Sequence, residues 1–462
     1  MRINIYHFLS LAGLIPTSQA ANNPLATTDQ RDLDILAIQL SKSPAFDLLR
    51  DAARTQYILT IEEYGYGSSI NVQTKADINL AIDELVFSSV QKAVNNDPAH
   101  PKVYWTDAPP RNSTSSSQQW FGISVPGGRY SYDNPDCIYR TIPISYRYDY
   151  EIRGRRASGD RAPSDVTFSL ISNPNSQETV AFLSGKDMQV EKDGSYVVTV
   201  SSKDSNSTNH LKSDLTTVQL FVRNNLGDWS VELPDELNVT IINDGGSNMS
   251  DDTGSTLSSA LSNEAIIAQA QADLAESTFF YGFGALGVKT LSNPVNNLGA
   301  PSQSKSLGTL TSQASSFGSF NLEEDDDAFV VTLSGGKSTY WVLPIYSLGM
   351  ITVTPWDSIV SYNNKQAKQN NNGTFTFVLS SQDPGVYNWV NTTSRSQGLI
   401  MGRWQGLPTN ESDPNGIEVF SNVIKIGNLR QFLPKETVYV NGEQRQLQLQ
   451  DRLEGYHRIH YQ

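Results

Sequence analysis

The sequence predicts a mainly β protein: two jelly-roll-like β-sandwiches, preceded by an N-terminal helical segment and joined through a linker and an inter-domain helix. Three observations carry that expectation. The first is the density of short alternating runs between Gly, Asn and Asp turns, as in Ile142 to Ile152, Tyr196 to Val200 and Thr374 to Leu379, a spacing that suits sandwiches and barrels. The second is internal similarity. Asp193 to Asp204 reads DGSYVVTVSSKD and Asn372 to Asp383 reads NGTFTFVLSSQD; the two align without a gap, and Arg223 and Arg403 follow at nearly equal distances, each closing a short apolar run. Self-similarity at this range argues for two copies of one β-rich unit. The third is the presence of one cysteine, Cys137, in 462 residues. No internal disulfide can form, so burial in two or three large cores must hold the chain.

Taken in order, residues 1–20 carry Arg2, the apolar run Phe8 to Ile15 and the small-residue end Ser18-Gln19-Ala20. This is the pattern of a signal peptide, too short to span a bilayer, and it predicts a secreted, extracellular product. Sequons at Asn112, Asn206, Asn238, Asn248, Asn372, Asn391 and Asn410 predict a glycoprotein. Residues 28–105 read as helical, with Ile78, Ile82, Leu85, Val86, Val90 and Ala93 on one face. Thr74 and Asp77 resemble a capping box, and the apolar face is expected to pack on the first sandwich. That sandwich is assigned to 118–243. A linker with a helix occupies 244–316, polar and acidic from Asn243 to Ser259 and then helical from Asn263 to Ser277. The second sandwich and a charged C-terminal tail take 317–462. Within them Asn371-Asn372-Gly373 is a hairpin signal for the strand from Thr374, and Thr437 to Val440 reads as a further strand.

The charge balance of 34 Lys and Arg against 48 Asp and Glu, a net charge of −14, repels phosphate backbones and anionic lipid, so no nucleic-acid partner is expected. No window after the leader is apolar enough for a membrane span. Gly282-Phe283-Gly284-Ala285-Leu286-Gly287 has the spelling of a dinucleotide fingerprint but follows a helix instead of a strand, so it reads as a helix stop and turn. The five histidines form no ligand cluster, and His457 and His460 read as a solvated pair. With Gly-x-Ser-x-Gly absent and Cys137 read as a small buried residue beside Asp136, no metal or organic cofactor is expected.

Carboxylates and arginines remain. Asp136 with Arg140, and Asp383 with Arg403, are the candidate catalytic pairs: a buried carboxyl can serve as general acid or base while Arg clamps an anionic or hydroxylated ligand. Tyr340, Trp341, Asn388, Trp389 and Trp404 are the candidate ligand-binding walls. Against this, Asp-Pro-Gly and Asn-Pro are ordinary turn chemistry, and a Trp after such a turn plugs the end of a sandwich as readily as it lines a cleft.

The chain also resembles a two-domain family, mostly bacterial and also fungal, whose C-terminal half is catalogued as domain of unknown function twelve-fourteen. The resemblance rests on Asn321-Leu322, Asp327 to Val331, Tyr340-Trp341, Ser361 with Asn363, Asn364 and Gln366, Asp383-Pro384-Gly385, Asn388-Trp389 and Arg403-Trp404. In the first copy it rests on Asp133-Asn134-Pro135-Asp136 with Tyr139-Arg140. It implies a pair of jelly-roll-like sandwiches and no established reaction. Function therefore reads first as a secreted glycoprotein with a cleft for a glycan or small hydroxylated molecule. The alternatives are a cofactor-free acid-base enzyme acting on a carbohydrate or secondary metabolite, and a structural secreted protein.

Overall fold

The computed structural model describes residues 23–66, 70–111, 120–243, 261–303, 310, 312–408 and 416–460. The expected signal peptide, the linker proper and the sequons at Asn112, Asn248 and Asn410 lie outside the described residues.

The described residues begin with three α-helices, α1 (Thr28–Leu40), α2 (Asp47–Ile61) and α3 (Val72–Val94). The cap of α3 is Asn71, whose side chain accepts from the Thr74 backbone N–H at 2.8 Å. The helix thus starts a turn earlier than a Thr74 cap requires, and Asp77 is freed to pair with Arg395 of the second unit at 2.7 Å. The apolar face of α3 packs on both sandwiches, because Ile78, Ile82, Leu85 and Val90 share a core with Trp105 and Ile138 from the first and Phe317 and Met401 from the second.

Nine strands follow among the described residues: β1 (Tyr104–Thr106), β2 (Cys137–Pro143), β3 (Asp149–Arg155), β4 (Asp165–Ile171), β5 (Thr179–Ser184), β6 (Ser195–Ser201), β7 (His210–Lys212), β8 (Gln219–Asn225) and β9 (Glu236–Asn243). They make one sheet in the order β1-β2-β8-β4-β5 and another in the order β7-β6-β3-β9, with Ile152, Phe168, Val198 and Val222 in the core between them. Then α4 (Asn263–Phe279) continues as a π-wound helix over Phe280–Leu291. The glycine run is therefore not a helix stop. A Cβ on Gly282 or Gly287 would come within 2.8 Å of the Tyr57 or Tyr64 ring, so these glycines let the helix lie close against α2 and its extension.

The second unit repeats the first: β10 (Asn297–Leu298), β11 (Ala314–Asn321), β12 (Asp327–Ser334), β13 (Tyr340–Tyr346), β14 (Ser361–Asn363), β15 (Thr374–Ser380), β16 (Trp389–Asn391), β17 (Gln397–Gln405) and β18 (Val419–Lys425). Their sheets run β10-β11-β17-β13-β14 and β16-β15-β12-β18. Each strand is the ninth after its counterpart, so the two units are an internal duplication. The match extends to detail. β6 with β7 and β15 with β16 are the parallel pairs, and Gly194 and Gly373, which turn the chain into β6 and β15, both have φ of 86°, a conformation that favours glycine. Tyr196 and Phe375 stand second in those strands. Arg223 and Arg403 lie on the central strands β8 and β17.

Some local expectations fail for reasons of topology. Asn372-Gly373 closes no hairpin, because β14 before it belongs to the opposite sheet from β15; the turn carries the chain across the sandwich. β1 lies in a sheet although its segment reads as helical, and β10 and the start of β11 lie in the stretch read as linker. Thr437 to Val440 forms only a single bridge, between Val386 and Tyr439. The chain then continues, after a short α5 (Leu429–Phe432) before that bridge, into a long α6 (Gly442–His460). His460 is not solvated: it is buried and stacked on Tyr456 with ring centroids 3.8 Å apart, and burial holds its imidazole down at about 3. Among the described residues no helix is long and apolar enough to cross a membrane.

Candidate functional site

The two candidate carboxylate–arginine pairs do not form. Arg140 points into the first sandwich and donates to the Asp235 carbonyl and to Asn224 Oδ1, because alternation along β2 sends it to the inner face. Asp136 instead ties the two units together. It accepts from Tyr340 Oη at 2.7 Å, Asn363 Nδ2 at 2.7 Å and Trp229 Nε1 at 3.0 Å. Beside it Asn134 donates to Tyr340 Oη at 3.0 Å, and Asp133 accepts from the Thr352 backbone N–H at 2.8 Å. The Asp-Asn-Pro-Asp motif is thus a buried knot holding one unit to the other.

Asp383 is held by α6: Arg445 Nε donates to its Oδ2 at 2.8 Å, and the Arg445 guanidinium lies 5.0 Å from the Trp389 ring. The expected ligand walls are scaffold. Trp389 is 7% exposed, with Nε1 donating to Ser380 O at 3.1 Å. Trp341 and Trp404 are in the core of the second sandwich, Trp341 packing edge-on to Phe375 at 4.7 Å. Asn388 pins a loop by donating to Lys368 O and Thr376 O.

Arg403 is different, and its position defines the site. On β17 it faces away from the sandwich core, and on β8 its counterpart Arg223 does the same. Side chains two residues apart share a sheet face, and two residues beyond each arginine Asn225 Nδ2 donates to Gln405 Oε1. The outer faces of the two five-stranded sheets therefore meet at that amide pair, with the arginines beside it. Both arginines line one cavity of about 80 Å³, closed on a third side by the π-wound helix through Tyr281, Ala285 and Lys289.

Neither guanidinium has a carboxylate within ion-pair distance among the described residues. Arg223 donates to Gln177 Oε1 at 2.9 Å and Ser169 Oγ at 3.3 Å, and stacks on Phe221 at 4.1 Å. Arg403 donates to the Tyr132 carbonyl at 2.6 Å and Tyr139 Oη at 3.3 Å, while its Nε is buried without a partner. Burial pulls Arg223 below the usual guanidinium range, yet an arginine stays charged in proteins. Lys289, its ammonium 4.5 Å from the Phe317 ring, is brought down to about 8 by burial and then by the charge of Arg403. The facing carboxyl is Asp107, pushed well up by burial and by neighbouring Asp133.

The cavity wall is also strained. Asp107, Ser131, Tyr132 and Gln177 all line it, with positive φ of 50°, 40°, 67° and 52°. Each such residue costs on the order of 1–3 kcal/mol, and such strain gathers at ligand clamps. A larger groove of about 610 Å³ runs beside α6; of its cations Lys365 pairs with Glu232, Arg458 donates to the Trp229 and Glu232 carbonyls, Arg452 donates to the Pro355 and Ser361 carbonyls, and Lys368 lies 5.0 Å from the Tyr387 ring. Of the central site, only Arg403 was singled out from sequence as a site residue. Arg223 was marked by its match to Arg403, and that duplication was the signal for a shared site; Asp107, Tyr132 and Lys289 had none.

Comparison with known proteins gives a family domain and a fold. Residues 319–404 match a family described as "Protein of unknown function (DUF1214)", so a domain of that family occupies the C-terminal region. The crystal structure of an uncharacterised protein from Burkholderia cenocepacia is similar at 20% identity and a TM-score of 0.65, covering 85% of this chain and 100% of that one. A Vibrio parahaemolyticus protein aligns at 11% identity and a TM-score of 0.40, over 76% of this chain and 100% of that one. None of the curated proteins matches the chain.

Proposed function

We infer that the chain is a binding protein for a small organic anion, taken up in the cavity between the two sandwiches. One observation carries the reading: two buried arginines on equivalent strands face one void, and among the described residues neither has a carboxylate partner. A buried cation without an anion is costly, and an anionic ligand removes that cost. The tryptophans expected to stack on sugar rings are core residues, which favours a small acid over a glycan. Asp107 is the one carboxyl lining the void among the described residues, which favours binding over two-carboxylate catalysis. The test is thermal stability of the full chain with acetate, lactate, malonate, succinate and phosphate. A ligand at a hundred times its Kd adds about 2.7 kcal/mol, and the Arg223→Met, Arg403→Met double variant should lose that gain. If no acid shifts the melting temperature, the reading falls.

We further propose that the protein is exported and N-glycosylated. The leader-like residues 1–20 support it, as do the sequons whose asparagines are exposed, Asn206, Asn238 and Asn372, with Asn391 half-buried. N-terminal sequencing of the native product should begin near Ala21, and endoglycosidase should increase gel mobility. An intact Met1 with no mobility change refutes export.

A further inference from the structure

We propose that the occupant of the central cavity is a monocarboxylate of one or two carbons, formate or acetate, whose carboxylate accepts from Arg403 Nε. This rests on the anion-binding reading and narrows it to a ligand class. Size sets the upper limit. Benzene, with six non-hydrogen atoms, enters a void of ~150 Å³, or about 25 Å³ for each atom. A void of about 80 Å³ therefore holds roughly three such atoms and, when close-packed, four. Formate enters, acetate fills the space to its walls, and any longer or doubly charged acid is shut out.

Arg403 supplies the open donor. Its terminal nitrogens hold the Tyr132 carbonyl at 2.6 Å and Tyr139 Oη at 3.3 Å, whereas its Nε is buried without a partner. A buried donor left unpaired is costly, and one carboxylate oxygen satisfies it. Arg223, held by Gln177 and Ser169, adds positive charge from the other unit without leaving these supports. Lys289 lines the same void, and burial and then the charge of Arg403 weigh against its ammonium form, so an anion beside them favours both cations. Asp107, the carboxyl of the wall, is held toward its protonated form by burial and does not repel the guest. Phe317 and Ala285 make part of the lining apolar, which suits the hydrogen or methyl of a one- or two-carbon acid. A halide or nitrate would press a fully charged edge against those groups.

The experiment is calorimetric titration of the full chain with formate, acetate, propionate, butyrate, nitrate and chloride. A ligand of four non-hydrogen atoms reaches a Kd of about 40 µM at the efficiency ceiling, so the titrations run into the millimolar range. The better of formate and acetate should bind at least about tenfold more tightly than propionate, because an added methylene overpacks the walls. Arg403→Gln should weaken that acid by about tenfold or more through loss of the charged donor. Phe317→Leu, which enlarges the void, should bring propionate to within about threefold of acetate. Propionate or butyrate binding as tightly as the shorter acids in the unaltered protein overturns the size class and leaves the anion reading standing. Nitrate or chloride binding as tightly as either acid overturns the assignment to a carboxylate. Absence of binding by every acid removes both readings. The ligand series on unaltered protein decides the matter even if a variant fails to fold.

Discussion

Replacing Asp136 with asparagine removes a titration that ties the docking of the two units to pH. Asp136 is 2% exposed; burial outweighs the donors Asn363 and Tyr340 and raises its carboxyl from 3.8 to about 6. A carboxyl raised on folding favours the fold when protonated. Its contribution is fully present below the unfolded value near 4 and is lost as pH rises through about 6. Two units at about 1.4 kcal/mol each make this roughly 3 kcal/mol. The amide would also lack an acceptor for one of the donors now facing the carboxylate, but that loss does not vary with pH. The stability of Asp136→Asn relative to wild type should therefore move in the variant's favour by roughly 3 kcal/mol between pH 4 and pH 7. At about 2 cal/mol/K per residue, a chain of 462 residues unfolding as one unit shifts by about 1 °C per kcal/mol, or about 3 °C in all. Calorimetric melts of both proteins at pH 4, 5, 6 and 7 read this gap directly. Parallel curves would refute a titrating Asp136, and movement in the opposite sense would show that the donors, not burial, set its ionisation.

Trp389→Ala should cost about 3–5 kcal/mol by emptying a packed position, measured by denaturant unfolding; an unchanged midpoint would return Trp389 to the wall of a site. A double-mutant cycle between Asp383→Asn and Arg445→Met should give a coupling of at most about 1 kcal/mol, because the Asp383 side chain is 33% exposed. The same cycle with Arg403→Met should give none. For Lys289, held near 8, affinity for a small acid should fall as pH rises through that value. Calorimetry in buffers of different ionisation enthalpy should show proton uptake on binding above it, and Lys289→Met should abolish both effects. A flat pH profile in the wild type would remove Lys289 from the site.

The fold class was legible because alternation and turn chemistry are local, and the repeat was legible because duplicated hairpin-like segments keep their spelling. The partners of Asp383 were not, since Arg445 lies on a helix 62 residues further on, and nothing at that distance can be read from spacing alone. Asn372-Gly373 announced a tight turn, but which sheet receives the next strand depends on the whole sandwich. The aromatic segments were overread for a general reason: Trp341, Trp389 and Trp404 look alike on a strand whether the face is core or cleft, and here all three face packed interior. Arg403 was matched to Asp383 because sequence reasoning looks for an opposite charge, whereas the fold sets it beside one cavity with another cation, Arg223.

The fused duplication frees the site from a rule that binds a symmetric dimer, in which every substitution falls twice. Tyr139 and Ser315 hold the same position opposite their arginines, Tyr139 beside Arg223 and Ser315 beside Arg403. Yet the Tyr139 hydroxyl reaches across to Arg403, and Ser315 is too short to return the contact. Each half can therefore drift alone, keeping a matched pair of charges while the two ends of the chamber grow unlike. A chamber built this way can tell the head of a ligand from its tail.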